Sequence, residues 1–114
     1  MKSLLTTVLA AGTLVIAAGS AAAQDAKVDK GKKVYADQKC SMCHSIDGKG
    51  NAKGALDGVG SKLSAAEIRQ WVVDPKTMTA KTKAERKPPM KAYPNLPADE
   101  LDALVAYLQS LKKK

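Results

Sequence analysis

The five residues Cys40-Ser41-Met42-Cys43-His44 decide how the rest of the 114-residue chain is interpreted. They contain both cysteines and the single histidine of the sequence. The two thiols are separated by two residues, and the imidazole directly follows the second thiol. All of the chain's thiol and imidazole chemistry is therefore confined to one short segment, which the remaining residues must support.

The spacing C-x-x-C-H indicates an attachment site for a c-type haem. Two thiols at this separation can each form a thioether with one vinyl group of the haem. The adjacent His44 can then turn its imidazole toward the iron as the proximal ligand. The sequence therefore predicts one haem c, bound covalently through Cys40 and Cys43, with its iron held by His44.

Three other uses of the motif remain open from the residues alone. A thioredoxin-like redox pair places C-x-x-C beside a βαβ unit, and this chain shows no such strands. A structural zinc site normally needs four Cys or His ligands, whereas the sequence supplies fewer. A disulfide between Cys40 and Cys43, with His44 incidental, is the third alternative. Haem is favoured over all of them.

The composition predicts a small domain that depends on a bound group. The length allows one domain, and 45% apolar residues with 26% charged residues exclude a disordered chain. The aromatic residues are few for a core of this size: Tyr35, Trp71, Tyr93 and Tyr107. A buried planar cofactor would supply the missing apolar surface. We therefore expect the mature chain to be largely unfolded without haem.

Residues 1–23 have the pattern of a secretory signal peptide. Lys2 provides the positive start, residues 4–18 are mostly apolar, and Ala21-Ala22-Ala23 offers small residues for cleavage. The apolar stretch is shorter than the roughly 20 residues that a membrane-spanning helix needs. We predict cleavage after about Ala23, a mature domain over residues 24–114 and a periplasmic location. An uncleaved membrane anchor is the alternative.

Helical patterns recur along the mature chain, while strand patterns are weak. The sequence predicts an all-α fold without a sheet, with helices at about residues 29–38, 65–73 and 98–111. Two long loops, over residues 47–60 and 76–97, would wrap around a bound group.

Local signals mark the helix ends. Asp29 is the predicted N-cap of the first helix. Ser64 and Glu67 form a capping box for the second, and Pro75 ends that helix because the residue before a proline avoids helical backbone angles.

The mature chain resembles the class I c-type cytochromes, in particular small bacterial ones with one haem. The similarity covers about residues 29–111. Beside the motif it includes Gly31-Lys32-Lys33-Val34-Tyr35, Leu56-Asp57-Gly58-Val59-Gly60, Trp71-Val72-Val73-Asp74-Pro75-Lys76 and Lys87-Pro88-Pro89-Met90. The resemblance implies a cytochrome c fold of about three helices and long loops around the haem. It also implies that Gly31 of the first helix lies against Tyr107 of the last, since glycine permits close backbone approach.

One feature of the resemblance is absent. The family usually has a proline just before the apolar residue matched by Leu56, and a carbonyl near it accepts the second ring N–H of the proximal histidine. Lys53-Gly54-Ala55 occupies this stretch here. Because backbone carbonyls commonly orient ligating histidines, one in this loop can serve, but the sequence does not identify which.

Met78 and Met90 are the two methionines that can reach the far face of the haem. Met1 leaves with the signal peptide, and Met42 lies inside the attachment motif. Met90 is favoured as the distal iron ligand because Pro88-Pro89 stiffens the chain before it and because the family carries its ligand at this position. Met78 as the ligand, and an open or otherwise ligated sixth position, are the alternatives; Met78 also suits a role in core packing.

A His44/Met90 pair would fill both axial positions of the iron and predicts electron transfer rather than catalysis. We expect a soluble protein that carries single electrons between respiratory or other oxidoreductase partners, and not an enzyme. The alternative is a haem enzyme or gas sensor with an open or labile distal position.

Basic side chains are concentrated near the predicted distal ligand, in a chain of formal net charge +8. They predict docking to an acidic face of a redox partner such as an oxidase, a reductase complex or a dehydrogenase. They are Lys76, Lys81, Lys83, Arg86, Lys87 and Lys91. A merely solvated loop is the alternative. We expect no nucleic-acid partner, at most loose association with anionic lipid, and a monomer by default.

Overall fold

The computed structural model describes Gly12 and residues 18–84 and 86–113. This part of the chain is mostly helical, which confirms the all-α fold class. Its α-helices are α1 (Ala18–Asp37), α2 (Val59–Lys62), α3 (Ala65–Val73), α4 (Pro75–Thr82) and α5 (Ala98–Ser110). Short 3-10 turns span Cys40–Met42 and Ala52–Gly54, and two short strands, β1 (Ser45–Ile46) and β2 (Lys49–Gly50), pair antiparallel. Over these same ranges, no helix combines the length and apolar content that a membrane crossing requires.

Helices α1 and α5 form the most extensive contact between two elements. A Cβ atom added to Gly31 would lie 2.6 Å from the Cβ of Tyr107 and would overlap the carbonyl oxygen of Ala103. Because only glycine fits at this point, the predicted close crossing is confirmed. The Tyr35 and Tyr107 rings pack edge to face beside it, with centroids 5.8 Å apart.

One apolar cluster joins α1, α3 and α5. Its buried members are Val34, Ile68, Val72, Leu101, Leu104, Val105, Tyr107 and Leu108. Full burial of an aliphatic side chain of this size contributes about 1.5–3 kcal/mol. The cluster holds the three helices together, and the attachment motif follows directly at the end of α1.

The predicted start of the first helix at Asp29 is wrong. Helix α1 begins at Ala18, so Asp29 lies inside the helix and does not cap it. The preceding segment is rich in alanine, the strongest helix former, and nothing in it interrupts the helix. Residues 1–11 and 13–17 of the proposed signal peptide lie outside the described residues, and cleavage after Ala23 stays a prediction.

Helix α3 has the predicted bounds, and both halves of its capping box are formed. The Glu67 N–H donates to Ser64 Oγ at 3.2 Å, and the Ser64 N–H donates to Glu67 Oε1 at 3.0 Å. Hydrogen bonds from the backbone N–H and the side chain of Ser64 to the carboxylate lower the pKa of Glu67. The predicted third helix is also confirmed as α5, which ends one residue earlier than expected.

Both predicted loops contain regular structure, so the prediction of no sheet is wrong. Asp47 (φ 51°) and Gly48 (φ 78°) form the turn between β1 and β2. An Asp-Gly pair is a hairpin signal, but the strands on either side are too short to show a pattern.

Pro75 ends α3 as predicted, but it also begins α4, so the second loop is shorter than expected. The Asp74 side chain caps α4 by accepting from the Thr77 backbone N–H at 3.4 Å, and it also accepts from the Thr77 hydroxyl at 2.7 Å. Proline is favoured at the first helical position, where its missing N–H would have no partner.

Candidate functional site

The attachment motif is wound into one compact turn after α1. Lys39 takes a left-handed conformation (φ 56°) and redirects the chain. The N–H groups of Cys43 and His44 then both donate to the Cys40 carbonyl, at 3.1 Å and 2.9 Å. Cys40 is half-buried, Cys43 is exposed, and neither forms a disulfide. Both thiols therefore lie beside His44 and are free to react.

His44 is oriented by a backbone carbonyl. Its Nδ1 lies 2.9 Å from the carbonyl oxygen of Gly54. Because a carbonyl can only accept, Nδ1 carries the proton and Nε2 keeps a free lone pair for a metal. Burial lowers the pKa of His44, the Gly54 bond raises it, and the charge of Arg86 lowers it further. The neutral, ligating form is favoured, and Gly54 is the carbonyl that the sequence left unidentified.

Asn51 ties the Gly54 loop to the motif, and sequence reasoning missed this residue. Its side chain donates to the Met42 carbonyl at 3.2 Å and accepts from the Lys53 N–H at 3.0 Å. Its own N–H donates to the His44 carbonyl at 3.0 Å. An asparagine before a short turn is a cap signal, so its bond to the Lys53 N–H could have been predicted. Its bonds to the Met42 and His44 carbonyls depend on how the loop folds back onto the motif.

The three methionines of the described residues differ in exposure. Met42 is 70% exposed and Met78 is only 3% exposed. Met90 is half-buried in the irregular segment between α4 and α5. Burial of Met78 within α4 fits the packing role that flexible methionine side chains commonly have. Met90 follows Pro88-Pro89 and keeps part of its surface accessible.

The polar groups beside the motif are not fully paired within the described residues. The hydroxyl of Tyr35 is buried without a hydrogen-bond partner there. Burial raises the pKa of Tyr35 to about 12 and that of Cys40 to about 11. Buried hydroxyls nearly always have a partner, so the protein alone does not complete this region. Together with two free thiols and an imidazole with a free Nε2, this fits a covalently attached haem.

The basic residues predicted for docking are exposed. Two of them, Arg86 and Lys87, line a cleft of about 720 Å³ together with Thr79, Ala84 and Pro89. Arg86 reaches from this cleft to the Gly54 loop, where its guanidinium contacts the face of the glycine. The segment that carries Met90 is thereby brought beside the segment that orients His44.

Comparison with known proteins assigns the family. Residues 28–112 match the family described as Cytochrome c. The chain is also 29% identical over 93 residues to cytochrome c oxidase subunit 2 of Alkalihalophilus pseudofirmus, in an alignment that covers 74% of this chain. The alignment covers 25% of that relative, so the chain spans about a quarter of its length. No solved structure gave a significant match. The chain belongs to the cytochrome c family, as a class I c-type cytochrome that binds haem c covalently.

Proposed function

We propose that this chain is an exported electron carrier with a single haem, attached through Cys40 and Cys43 and held between His44 and Met90. The observation that carries the proposal is the hydrogen bond between His44 Nδ1 and the Gly54 carbonyl oxygen, 2.9 Å long, directly after the two free thiols. When bound, haem iron gains and loses one electron. The protein residues fix its ligands, its surroundings and its partners.

The proximal ligand is held in one orientation and one protonation state. The Gly54 carbonyl fixes the imidazole plane, while the turn at Cys40–Met42 fixes the backbone before it. A hydrogen bond to the outer ring nitrogen also makes the metal-facing nitrogen more basic. These effects support His44 as a permanent ligand.

The distal ligand is proposed as Met90. Met90 is only half-buried, so its side chain is not confined to the core, and the two prolines before it restrict the backbone. Met78 is committed to the packing of α4, which argues against it as the ligand. With His44 and Met90 both bound to it, the iron would offer no place for a substrate, which supports electron transfer rather than catalysis.

The partner is proposed to be a redox protein with an acidic face. The exposed lysines and the one arginine between Lys76 and Lys91 would attract such a face and speed association. Similarity to a protein named as an oxidase subunit supports an oxidase as one class of partner. A reductase complex or a dehydrogenase is equally compatible with the charge. The signal-peptide pattern supports a periplasmic location, and a monomer suffices for this role.

Visible and near-infrared spectra of the haem-loaded protein test the proposal. We expect a low-spin haem c whose methionine-to-iron charge-transfer band is lost in Met90→Ala and retained in Met78→Ala. A high-spin wild-type protein, or one that binds carbon monoxide readily, would contradict the proposal and favour a haem enzyme or gas sensor. Loss of the band in Met78→Ala alone would move the distal ligand to Met78.

A further inference from the structure

Arg86 spans the gap between the distal and proximal sides of the haem site. It lies four residues before Met90 in the chain and 32 residues after Gly54. A Cβ atom added to Gly54 would lie 2.9 Å from the guanidinium carbon of Arg86 and would overlap its Nη1. The guanidinium therefore lies directly against the face of Gly54.

The contact falls on the backbone unit that orients the proximal histidine. The carbonyl of Gly54 accepts the His44 Nδ1–H, and the charge of Arg86 is close enough to lower the pKa of His44. The Arg86 side chain thus packs against the glycine whose carbonyl accepts from His44, while its own backbone belongs to the segment that carries Met90.

Arginine and glycine are both well suited to the contact between positions 86 and 54. A guanidinium is planar and can lie flat against a backbone that has no side chain, whereas an ammonium is a compact, strongly hydrated charge. Any side chain at position 54 would displace the guanidinium, and it would also overlap the Cys43 carbonyl oxygen.

We propose that Arg86 is a positioning residue that holds the Gly54 carbonyl against His44 and, through the same contact, restrains the segment that carries Met90. The proposal rests on the His44/Met90 ligation proposed above. In this proposal, the positions of both His44 and Met90 depend on the exposed Arg86 side chain. Loosening this contact should weaken the distal ligand and the proximal hydrogen bond together.

The test compares haem-loaded Arg86→Gln and Arg86→Lys with the wild-type protein. Arg69→Gln is the matched control, since it removes the same charge at the other arginine of the chain, which pairs with Asp102. One readout is the apparent affinity of the oxidised protein for imidazole, which rises with the population that has released Met90. The other is the exchange rate of the His44 Nδ1 proton, measured by NMR in the reduced protein.

For Arg86→Gln we expect imidazole to bind about tenfold more tightly and the Nδ1 proton to exchange about tenfold faster, since the packing of the guanidinium on Gly54 is lost and the Met90-released state becomes more populated. For Arg86→Lys, both the imidazole affinity and the proton exchange rate should lie between those of the wild type and Arg86→Gln. Arg69→Gln should match the wild type in both readouts. A change in imidazole affinity without a change in proton exchange, or no change in either, would overturn the proposal. A wild-type protein without the methionine-to-iron band would instead contradict the proposed ligation, before any variant is compared.

Discussion

The two sides of the haem site differ in how the protein holds them. The proximal segment, residues 40–56, is fixed by closely spaced hydrogen bonds among the motif, the hairpin and the Gly54 loop. The distal segment, residues 86–97, is anchored mainly through Tyr93, whose N–H donates to the Val72 carbonyl at 2.9 Å. The Tyr93 hydroxyl donates to the Gln38 carbonyl at 3.3 Å.

This difference indicates which of the two proposed iron ligands is oriented by the protein and which also depends on the cofactor. The proximal imidazole is oriented by protein atoms alone, through Gly54. In our proposal the distal ligand is the Met90 thioether, which would be positioned by the Tyr93 anchor, by the Arg86 contact and by its bond to iron. Disturbance of the proximal side should therefore affect the whole fold, while disturbance of the distal side should affect the ligand and the docking surface.

The largest effect should follow loss of covalent attachment. In Cys40→Ala with Cys43→Ala, haem is no longer tethered, and the small core must stand alone. We expect most of the helical signal in far-ultraviolet circular dichroism to disappear when haem is removed. Cys43→Ala alone, with one thioether retained, is the matched control and should keep more of its fold. A haem-free double variant with a native helical signal and cooperative unfolding would contradict the dependence on haem.

Charge reversal on the distal side should slow electron transfer to an acidic partner. For Lys87→Glu we expect about a threefold to tenfold slower second-order rate at low salt, because steering depends on the net field around the docking face. Lys49→Glu, in β2 on the proximal side, is the control and should change the rate less than about twofold. Stopped-flow kinetics with a purified oxidase would measure both.

Added salt should reduce the difference in electron-transfer rate between Lys87→Glu and Lys49→Glu. The screening length falls from about 30 Å at 0.01 M to about 10 Å at 0.1 M ionic strength, so the wild-type rate should fall as salt rises. A rate that does not depend on ionic strength, or an equal effect of the two reversals, would remove the distal docking surface.

Gly54→Ala should destabilise the proximal loop. The new methyl group would overlap the Cys43 carbonyl oxygen and the Arg86 guanidinium, and overpacking of this kind costs about 1–3 kcal/mol. Chemical denaturation of the haem-loaded protein would measure the loss. Gly48→Asn is the control, because residue 48 has positive φ but open space, and asparagine tolerates this conformation. Equal stability of the two variants would contradict the tight contact at Gly54.

Tyr93→Phe should have the smallest effect, confined to the distal segment. It removes the hydrogen bond to the Gln38 carbonyl, which contributes about 0.5–1.5 kcal/mol to stability. Chemical denaturation should show this loss in the free energy of unfolding, while the visible spectrum of the bound haem should stay low-spin. Tyr107→Phe is the control, because it also removes a tyrosine hydroxyl and leaves the ring in the apolar cluster against which Tyr93 packs. A larger loss for Tyr107→Phe than for Tyr93→Phe would mean that Tyr93 is not the anchor.

Signals that lie close together in the chain predicted much of the fold. The capping box at Ser64, the stop at Pro75 and the amphipathic pattern of α5 each fixed a helix end or face. The C-x-x-C-H spacing predicted the family and the cofactor. Gly31 was predicted to lie at a helix crossing through its resemblance to the family, and the contact with Tyr107 confirms it.

Features that depend on contacts between distant residues could not be predicted. The choice of Gly54 as hydrogen-bond acceptor depends on the folded loop, and the Arg86 contact joins two loops. The early start of α1 reflects helix propensity in a segment that was interpreted only as a signal peptide. The choice between Met90 and Met78 depends on geometry around the iron, and it stays a prediction.

A high-resolution crystal structure of the haem-loaded protein tests the central claim most directly. We predict His44 Nε2 and Met90 Sδ on opposite sides of the iron, thioethers from Cys40 and Cys43, and the Gly54 carbonyl oxygen within hydrogen-bond distance of His44 Nδ1. Met78 or water in the sixth position, or a Gly54 carbonyl turned away from His44, would contradict this account.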